Sequence, residues 1–225
     1  DRYKRYIPFN KNIVTNDITN FYDEEDNLVY SLPKSYDLPI IINKKDIYGI
    51  EFNDRLLYVK KDDVKETKDN ENTKTKVATK IKTLAYHRIY DPKTEKCTEV
   101  ICHTESQFES HMKYLSENNY LTLTTKELSD FIDGYIRVPR NSTVITIDDG
   151  TLVERGIKIL EKYKLNGSLF VVTIRFPEKT IKETFKSDYV ELHSHSHNMH
   201  WAGECKGYGT QGGGILCLPK EFLKI

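Results

Sequence analysis

The amino-terminal part of the chain is patterned as short β-strands. Between Asn12 and Val64, brief apolar runs rich in β-branched and aromatic residues alternate with polar turn residues. The predicted strands are residues 18–22, 28–30, 39–42, 48–52 and 56–59. Five short strands within about fifty residues predict a small all-β barrel.

From Thr83 the pattern changes to an alternation of strands and helices. Buried strands are predicted near residues 84, 121, 145, 170 and 190. Capping boxes at residues 104–107 and 124–127 mark the starts of two of the helices between them. We expect the first helix to bury Phe108, Met112 and Leu115, and the second to bury Leu128, Phe131 and Ile132. This alternation predicts an α/β domain.

The stretch between these two patterns is charged and almost free of apolar residues. It cannot bury enough surface to offset the entropy of ordering, so residues 65–80 are expected to contain a mobile linker. The predicted domains are 1–66, a small β domain with an amino-terminal arm; 67–80, the linker; and 81–225, the α/β domain.

Two adjacent carboxylates follow the strand predicted at residues 142–147. Asp148 and Asp149 precede Gly150, and active sites of parallel sheets lie at the carboxyl ends of their strands. Neighbouring acids point in different directions, so one can bind a metal ion while the other accepts a proton. An ordinary Asp-Gly turn explains this stretch equally well on its own.

A second stretch is rich in histidine. Residues 191–200 hold four of the seven histidines, His193, His195, His197 and His200. Two histidines and one carboxylate form a zinc site that leaves an open position for water. The stretch is internal and follows a predicted strand, which is not typical of a purification tag.

The residues from Thr146 to Gly150 (TIDDG) resemble the T-F-D-D-G motif of polysaccharide deacetylases, carbohydrate esterase family four. His195-Ser196 with the later His200 is similar to the second motif of that family. Leu84-Ala85-Tyr86-His87-Arg88 resembles its first barrel strand. The resemblance covers roughly residues 80–225 and implies a distorted (β/α) barrel.

The resemblance also implies a set of site residues. A divalent metal ion, expected to be zinc, would be held by Asp149, His195 and His200, with Asp148 as the general base. His87 would lie at the mouth of the site, with a hydrogen-bonded structural histidine as the alternative. Trp201 directly follows the second proposed histidine ligand, so it would border the sugar, with a place in the core as the equally weighted alternative. Two other histidine pairs rank lower as ligands, His193 with His197 and His197 with His200.

The chain departs from the commonest family pattern in three respects. Ile147 stands where the motif usually has Phe. The matched histidines are five residues apart rather than four, which is similar to the poly-N-acetylglucosamine deacetylase branch. A later Arg-containing loop and the Leu-x-x-His motif that supplies the general acid are expected to lie beyond Ile225. We therefore predict a barrel that is incomplete at its carboxyl end, and a chain that alone binds metal but turns over poorly.

The amino-terminal β domain has a resemblance of its own. Residues 48–64 resemble bacterial SH3-like domains, which often accompany cell-wall enzymes. The resemblance implies binding to peptidoglycan or its peptides, with Tyr22, Tyr48 and Tyr58 as a stacking surface. A packing spacer is the equally weighted alternative.

Composition narrows the classes of partner. The 225 residues include 34 basic and 34 acidic side chains, so net charge gives no reason to expect binding to nucleic acid. No apolar run approaches the 18 or so residues that span a bilayer, and no signal peptide is visible. The four cysteines, at 97, 102, 205 and 217, allow three full pairings and also remain compatible with free thiols.

Together these features predict a metal-dependent hydrolase. It would remove N-acetyl groups from an N-acetylglucosamine-containing polysaccharide, either peptidoglycan or poly-N-acetylglucosamine, outside the cell or at the cell wall. The alternative is a non-catalytic wall-binding protein that retains a degenerate or truncated deacetylase domain.

Overall fold

The computed structural model describes residues 2–68 and 76–197, which form two compact units. The first unit contains the chain up to Lys82 together with Thr125–Ser142, and the second contains Thr83–Thr124 and the residues from Thr143 onward. The segment Thr125–Ser142 lies within the range predicted for the α/β domain, but in the structure it packs with the amino-terminal unit.

Fourteen strands and three α-helices lie in the described residues. The strands are β1 (Lys11–Thr15), β2 (Ile18–Tyr22), β3 (Leu28–Pro33), β4 (Asp37–Asn43), β5 (Ile47–Phe52), β6 (Arg55–Lys60), β7 (Val64–Lys68), β8 (Lys82–Tyr86), β9 (Arg88–Tyr90), β10 (Cys102–Thr104), β11 (Leu121–Thr122), β12 (Ser142–Asp149), β13 (Gly167–Val171) and β14 (Val190–Ser194). The helices are α1 (Glu105–Glu117), α2 (Thr125–Ile132) and α3 (Glu154–Tyr163). None of these helices combines the length and apolar character of a membrane span.

The first unit is built on an antiparallel sheet in the order β3-β2-β6-β5-β4-β1-β7. The five strands predicted from the sequence are confirmed as β2 to β6. Alternate side chains of β1 and of these strands contribute to the core, which includes Ile13, Phe21, Ile40, Ile50 and Leu57. This all-β region therefore forms around side chains that point to one face of the pleated strands.

Strands β1 and β7 were not predicted, because their sequences are largely polar. They pair with each other over Lys11–Lys68 to Thr15–Val64, and Lys11 Nζ lies 2.7 Å from a carboxylate oxygen of Glu66. Backbone pairing thus places in a strand some of the charged residues that had been predicted to belong to the mobile linker. Ala78, near the other end of that predicted linker, donates its backbone N–H to the carbonyl of Val138.

Tyr48 does not contribute to the predicted stacking surface. Its side chain lies on the core face of β5 and is 2% exposed, and Lys61 Nζ lies 4.7 Å from the ring centroid. The prediction was wrong because the sequence could not fix which face of β5 points inward. Tyr22 and Tyr58 remain partly exposed.

The second unit contains a mixed α/β arrangement. Its sheet has the order β11-β12-β13-β14, with β8 also paired to β12, and the β12-β13 and β13-β14 pairs are parallel. These five strands are the ones predicted from the sequence. A separate parallel pair, β9 and β10, was not predicted.

Helix α1 shows how the sequence sets local structure in this unit. Gln107 N–H donates to Thr104 Oγ1 at 3.2 Å, and Thr104 N–H donates to Gln107 Oε1 at 2.9 Å, which confirms the predicted capping box. Phe108, Met112 and Leu115 are buried as predicted. They join Ile145, Ile147, Leu169 and Leu160 in one core.

One disulfide bond lies in the described part of the second unit. It joins Cys97 and Cys102, whose Cα atoms are 6.0 Å apart. Cys205 and Cys217 lie outside the described residues.

Helix α2 is anchored by a buried carboxylate rather than by an apolar stripe. Glu127 accepts hydrogen bonds from Arg2 Nε at 2.9 Å and from the Tyr6 hydroxyl at 2.8 Å. Burial, and then the Glu127 charge, raise the pKa of Tyr6 well above its usual range. Ile132 was predicted to face inward but is 71% exposed. Leu128 and Phe131, the other two residues predicted to face inward, are partly buried, so helical spacing misplaced Ile132 alone among the three.

We expect Glu127→Ala to destabilise the protein by about 2 kcal/mol, because it leaves Arg2 and Tyr6 without their charged acceptor. Urea denaturation measures this change in the free energy of unfolding. The exposed Glu25→Ala is the matched control and should change it by less than about 0.5 kcal/mol. Equal losses for the two variants would contradict this role of Glu127.

Candidate active site

The site lies where three parallel strands end. Pairing aligns Asp148 of β12 with Phe170 of β13, and Phe170 with His193 of β14. Residues that follow β14 therefore arrive at the same sheet edge as the acids that end β12. His195, the next residue but one after His193, donates its backbone N–H to the carbonyl of Val171 at 2.8 Å.

Asp149 and His195 meet at this edge. His195 Nε2 lies 3.6 Å from Asp149 Oδ1, and the Asp149 side chain is 7% exposed. Two ligand atoms on one tetrahedral zinc ion lie about 3.4 Å apart, given bond lengths of about 2.1 Å. The separation of these two groups and their donor types therefore fit a shared divalent ion.

The third predicted metal ligand and one predicted substrate residue lie at higher residue numbers. His200 and Trp201 lie outside the described residues. Within residues 2–68 and 76–197, no group of three His, Cys, Asp or Glu side chains is placed to hold a metal ion. The described part of the site thus supplies two of the three predicted ligands.

The backbone around the acids adopts an unusual conformation. Asp149 has φ 70° and Gly150 has φ 86°, both in the left-handed region. A Cβ on Gly150 would lie 2.8 Å from Phe176 Cε2 and 3.3 Å from Val171 Cγ1. Glycine is therefore required at this turn, and a left-handed aspartate is a strained feature of the kind that clusters at functional sites.

Asp148 lies beside a different histidine. His87 Nε2 is 3.9 Å from Asp148 Oδ2, and the Asp148 side chain is 24% exposed. His87 follows β8 directly, and β8 pairs with β12, so strand pairing delivers it to the acid. The structure therefore separates the two acids: Asp149 is buried next to His195, and Asp148 is more accessible next to His87.

The backbone next to His87 is fixed by aromatic packing. The Tyr86 ring is buried and packs edge-on against Phe108, with ring centroids 4.8 Å apart. The Tyr86 hydroxyl is hydrogen-bonded to His111 Nδ1 at 3.1 Å. These contacts hold the end of β8 and so limit the positions that the His87 ring can take.

The pairing of His87 with Asp148 was missed in the sequence, although a signal was present. Residues 84–87 read Leu-Ala-Tyr-His, which fits the Leu-x-x-His pattern that the resemblance associates with the general acid. That pattern was expected only after the histidine stretch. His87 was assigned only to the mouth of the site, because residues 84–88 were matched to a first barrel strand instead.

The remaining described histidines of the stretch have other partners. The His193 ring stacks on Phe170, with centroids 5.0 Å apart, and His193 Nε2 lies 3.7 Å from Glu191. His197 Nδ1 is hydrogen-bonded to Thr173 Oγ1 at 2.9 Å. The structure therefore favours His195 over His193 and His197 as the neighbour of Asp149.

A short turn after β13 holds the segment that carries His195. Thr173 and Ile174 donate their backbone N–H groups to the carbonyls of Ser196 and His197, at 3.2 and 3.0 Å. Together with the Val171–His195 hydrogen bond, these contacts continue the pairing of β13 and β14 past the ends of the strands. His195 is thereby fixed on both sides.

Comparisons with known proteins identify a family and several relatives to which the chain is similar. Residues 136–209 match the family model described as polysaccharide deacetylase. The chain is 32% identical over 110 residues to the poly-β-1,6-N-acetyl-D-glucosamine N-deacetylase of Staphylococcus aureus (strain MRSA252). That alignment covers 43% of this chain and 38% of the relative, so the chain spans well under half of the relative's length.

Two solved structures are similar to part of the chain. A de-N-acetylase from Aggregatibacter actinomycetemcomitans is 22% identical with a TM-score of 0.48, over 57% of this chain and 59% of the other. IcaB from Ammonifex degensii is 22% identical with a TM-score of 0.48, over 58% of each chain. The segment matched by the family model includes Asp148, Asp149 and His195, so this part of the chain is similar to polysaccharide deacetylases.

Proposed function

We propose that this protein is a metal-dependent hydrolase that removes N-acetyl groups from an N-acetylglucosamine polysaccharide. The observation that carries the proposal is the meeting of Asp149 and His195 beside a second acid, Asp148, at the ends of parallel strands. The matched family and the named activity of the Staphylococcus aureus relative support the same reaction class.

The proposed metal ligands are Asp149, His195 and His200, with zinc as the expected ion. One carboxylate and two imidazoles suit zinc and leave a position for substrate or water. When bound, the ion would polarise the amide carbonyl and lower the pKa of a water molecule toward about 7. The buried position of Asp149 suits a ligand, because a buried charge is stable only when it is paired.

Asp148 is proposed as the general base. It adjoins the ligand Asp149 but points to a more accessible position, so it can reach a water that attacks the amide carbon. The left-handed turn at Asp149 and Gly150 separates the directions of the two carboxylates. One acid can then hold charge next to the metal while the other accepts the proton.

His87 is proposed as the group that protonates the leaving amine. Amide cleavage requires a proton on the departing nitrogen, and imidazole is the commonest side chain for this task near neutral pH. His87 Nε2 lies 3.9 Å from Asp148, so the two groups flank one small region. On this proposal the acid function lies within the chain, in place of the downstream histidine that the resemblance implied.

The substrate proposed is poly-N-acetylglucosamine rather than peptidoglycan, since the relative's name specifies the β-1,6-linked polymer. Action on such a polymer implies a location outside the cell or at the cell wall. The SH3-like identity of the all-β unit, and its attachment to the cell wall, belong to the same proposal.

Two aspartate variants separate metal binding from proton transfer. We expect Asp149→Ala to lose bound zinc, because it removes a ligand, and Asp148→Asn to retain zinc while deacetylation falls about 10²- to 10⁴-fold. Elemental analysis after dialysis measures the zinc, and acetate release from a β-1,6-linked N-acetylglucosamine oligomer measures activity. The exposed Asp188→Asn is the matched control and should match the parent chain in both assays.

Normal zinc content in Asp149→Ala would refute the ligand set. Normal acetate release in Asp148→Asn would refute the base. A chain that binds zinc and releases no acetate would instead be a non-catalytic protein with a retained metal site.

The role of His87 is tested by varying the leaving group. We expect His87→Gln to slow amide deacetylation about 10²-fold or more, because the amine then departs without a proton donor. Hydrolysis of 4-nitrophenyl acetate should change less than threefold, since its leaving group requires no protonation. Asp148→Asn is the comparison variant and should slow both reactions. Equal slowing of both substrates by His87→Gln would rule out the proposed proton donor.

A further inference from the structure

The amino-terminal unit contains a cavity that the proposed reaction does not use. Its volume is about 280 Å³. Strands β2, β5 and β6, the turn after β2 and the start of α2 contribute to it. The lining residues are Tyr22, Asp23, Glu24, Asp26, Lys44, Ile47, Tyr58, Val59, Lys60 and Lys126.

Two tyrosines on neighbouring strands give this cavity an aromatic wall. Tyr22 of β2 and Tyr58 of β6 are paired across the antiparallel ladder, so their side chains lie on the same face of the sheet. Burial, and then the charges of Glu24 and Asp130, raise the pKa of Tyr58 to about 12. The Tyr58 hydroxyl therefore stays protonated at neutral pH and can donate a hydrogen bond.

The rim of the cavity carries balanced charge. Its three carboxylates, from Asp23, Glu24 and Asp26, face three lysines, Lys44, Lys60 and Lys126. Lys126 Nζ lies 3.7 Å from both Glu24 and Asp130. A ligand of one sign would meet like charge on half of the rim, so the lining favours a neutral polar ligand.

The turn that carries the acidic rim is ordered. Asp23 Oδ1 accepts from the backbone N–H groups of Glu25 and Asn27, at 3.0 and 2.8 Å. Asp23 Oδ2 accepts from Asn27 Nδ2 at 3.1 Å. The Asp23 carboxylate is thus occupied in shaping the turn, while the side chains of Glu24 and Asp26 remain exposed at the rim.

We propose that this cavity binds one uncharged N-acetylhexosamine residue of the polysaccharide. Its volume lies slightly below the range of about 300–1,000 Å³ that is typical of ligand pockets, so it suits a single sugar unit. Tyrosine rings offer an apolar face to a pyranose and a polar tip to its hydroxyls. The carboxylates and lysines provide acceptors and donors for the hydroxyl and amide groups. The identity of the sugar rests on the proposed function.

A second sugar site would change how the protein handles long chains. A polymer that occupies both sites gains affinity through effective concentration, whereas a short oligomer can occupy only one at a time. Loss of the cavity should therefore raise KM for the polymer and leave KM for a short oligomer unchanged.

The test uses the full chain with Asp148→Asn, which should bind the substrate without hydrolysing it. Isothermal titration with a β-1,6-linked N-acetylglucosamine tetramer should show two binding events. Adding Tyr22→Ala should remove one of them, and Tyr36→Ala, in the same unit but outside the cavity, should remove neither. Two unchanged events in the Tyr22→Ala chain would overturn the cavity proposal.

Failure of the proposed function has a different result. If the active site does not bind this sugar, the chain with Asp148→Asn shows one event, and Tyr22→Ala abolishes it. Equal or tighter binding of the de-N-acetylated, cationic tetramer at the Tyr22-dependent site would overturn the preference for an uncharged sugar.

A surface variant tests the proposal even if Tyr22→Ala fails to fold. Lys60 is exposed, so Lys60→Glu should leave the melting temperature unchanged while making the rim acidic. We expect it to shift the ratio of the two tetramer affinities toward the cationic one by about fivefold, since the rim then attracts ammonium groups. An unchanged ratio would overturn the proposal independently of Tyr22.

Discussion

The parallel pairing of β12, β13 and β14 is the constraint on which the candidate active site depends. It places Asp149 and His195 3.6 Å apart although they are distant in the sequence. A slip of one residue in either pair would turn every side chain of that strand to the opposite face. The backbone hydrogen bonds from His195 to Val171 and from Thr173 to Ser196 extend the pairing beyond the strands. The register of these strands therefore determines which side chains meet at the candidate active site.

The two acids at the end of β12 illustrate how one short turn places neighbouring carboxylates in different environments. Asp149 lies in the left-handed region and turns into the buried edge, whereas Asp148 stays accessible and lies beside His87. Gly150 permits this turn, because any side chain there would meet Phe176. The structure thus gives neighbouring residues of the same type different environments, which is the usual way proteins assign different roles to paired carboxylates.

Much of the second unit could be predicted because its strands and helices are signalled locally. Apolar runs marked the five strands, and Thr104 with Gln107 marked the start of α1. Prediction from the sequence failed where contacts between residues distant in the chain determine the arrangement. The pairing of His87 with Asp148 depends on β8 lying next to β12, and the exposure of Ile132 depends on Glu127 binding Arg2. Residue type predicted the candidate ligands, whereas partners could not be assigned from spacing.

The all-β unit shows the same limit and also suggests why its cavity is suited to binding. Tyr48 and Tyr58 lie on the paired strands β5 and β6. Tyr48 is nevertheless buried, whereas Tyr58 borders the cavity. A purely structural role would favour an apolar lining, because unpaired polar groups are costly when buried. Here two tyrosines are surrounded by charges of both signs on a partly exposed surface. Such a lining adds little to the stability of the sheet, and its exposed groups, such as Asp26 and Lys60, can meet a ligand that brings hydroxyl and amide partners.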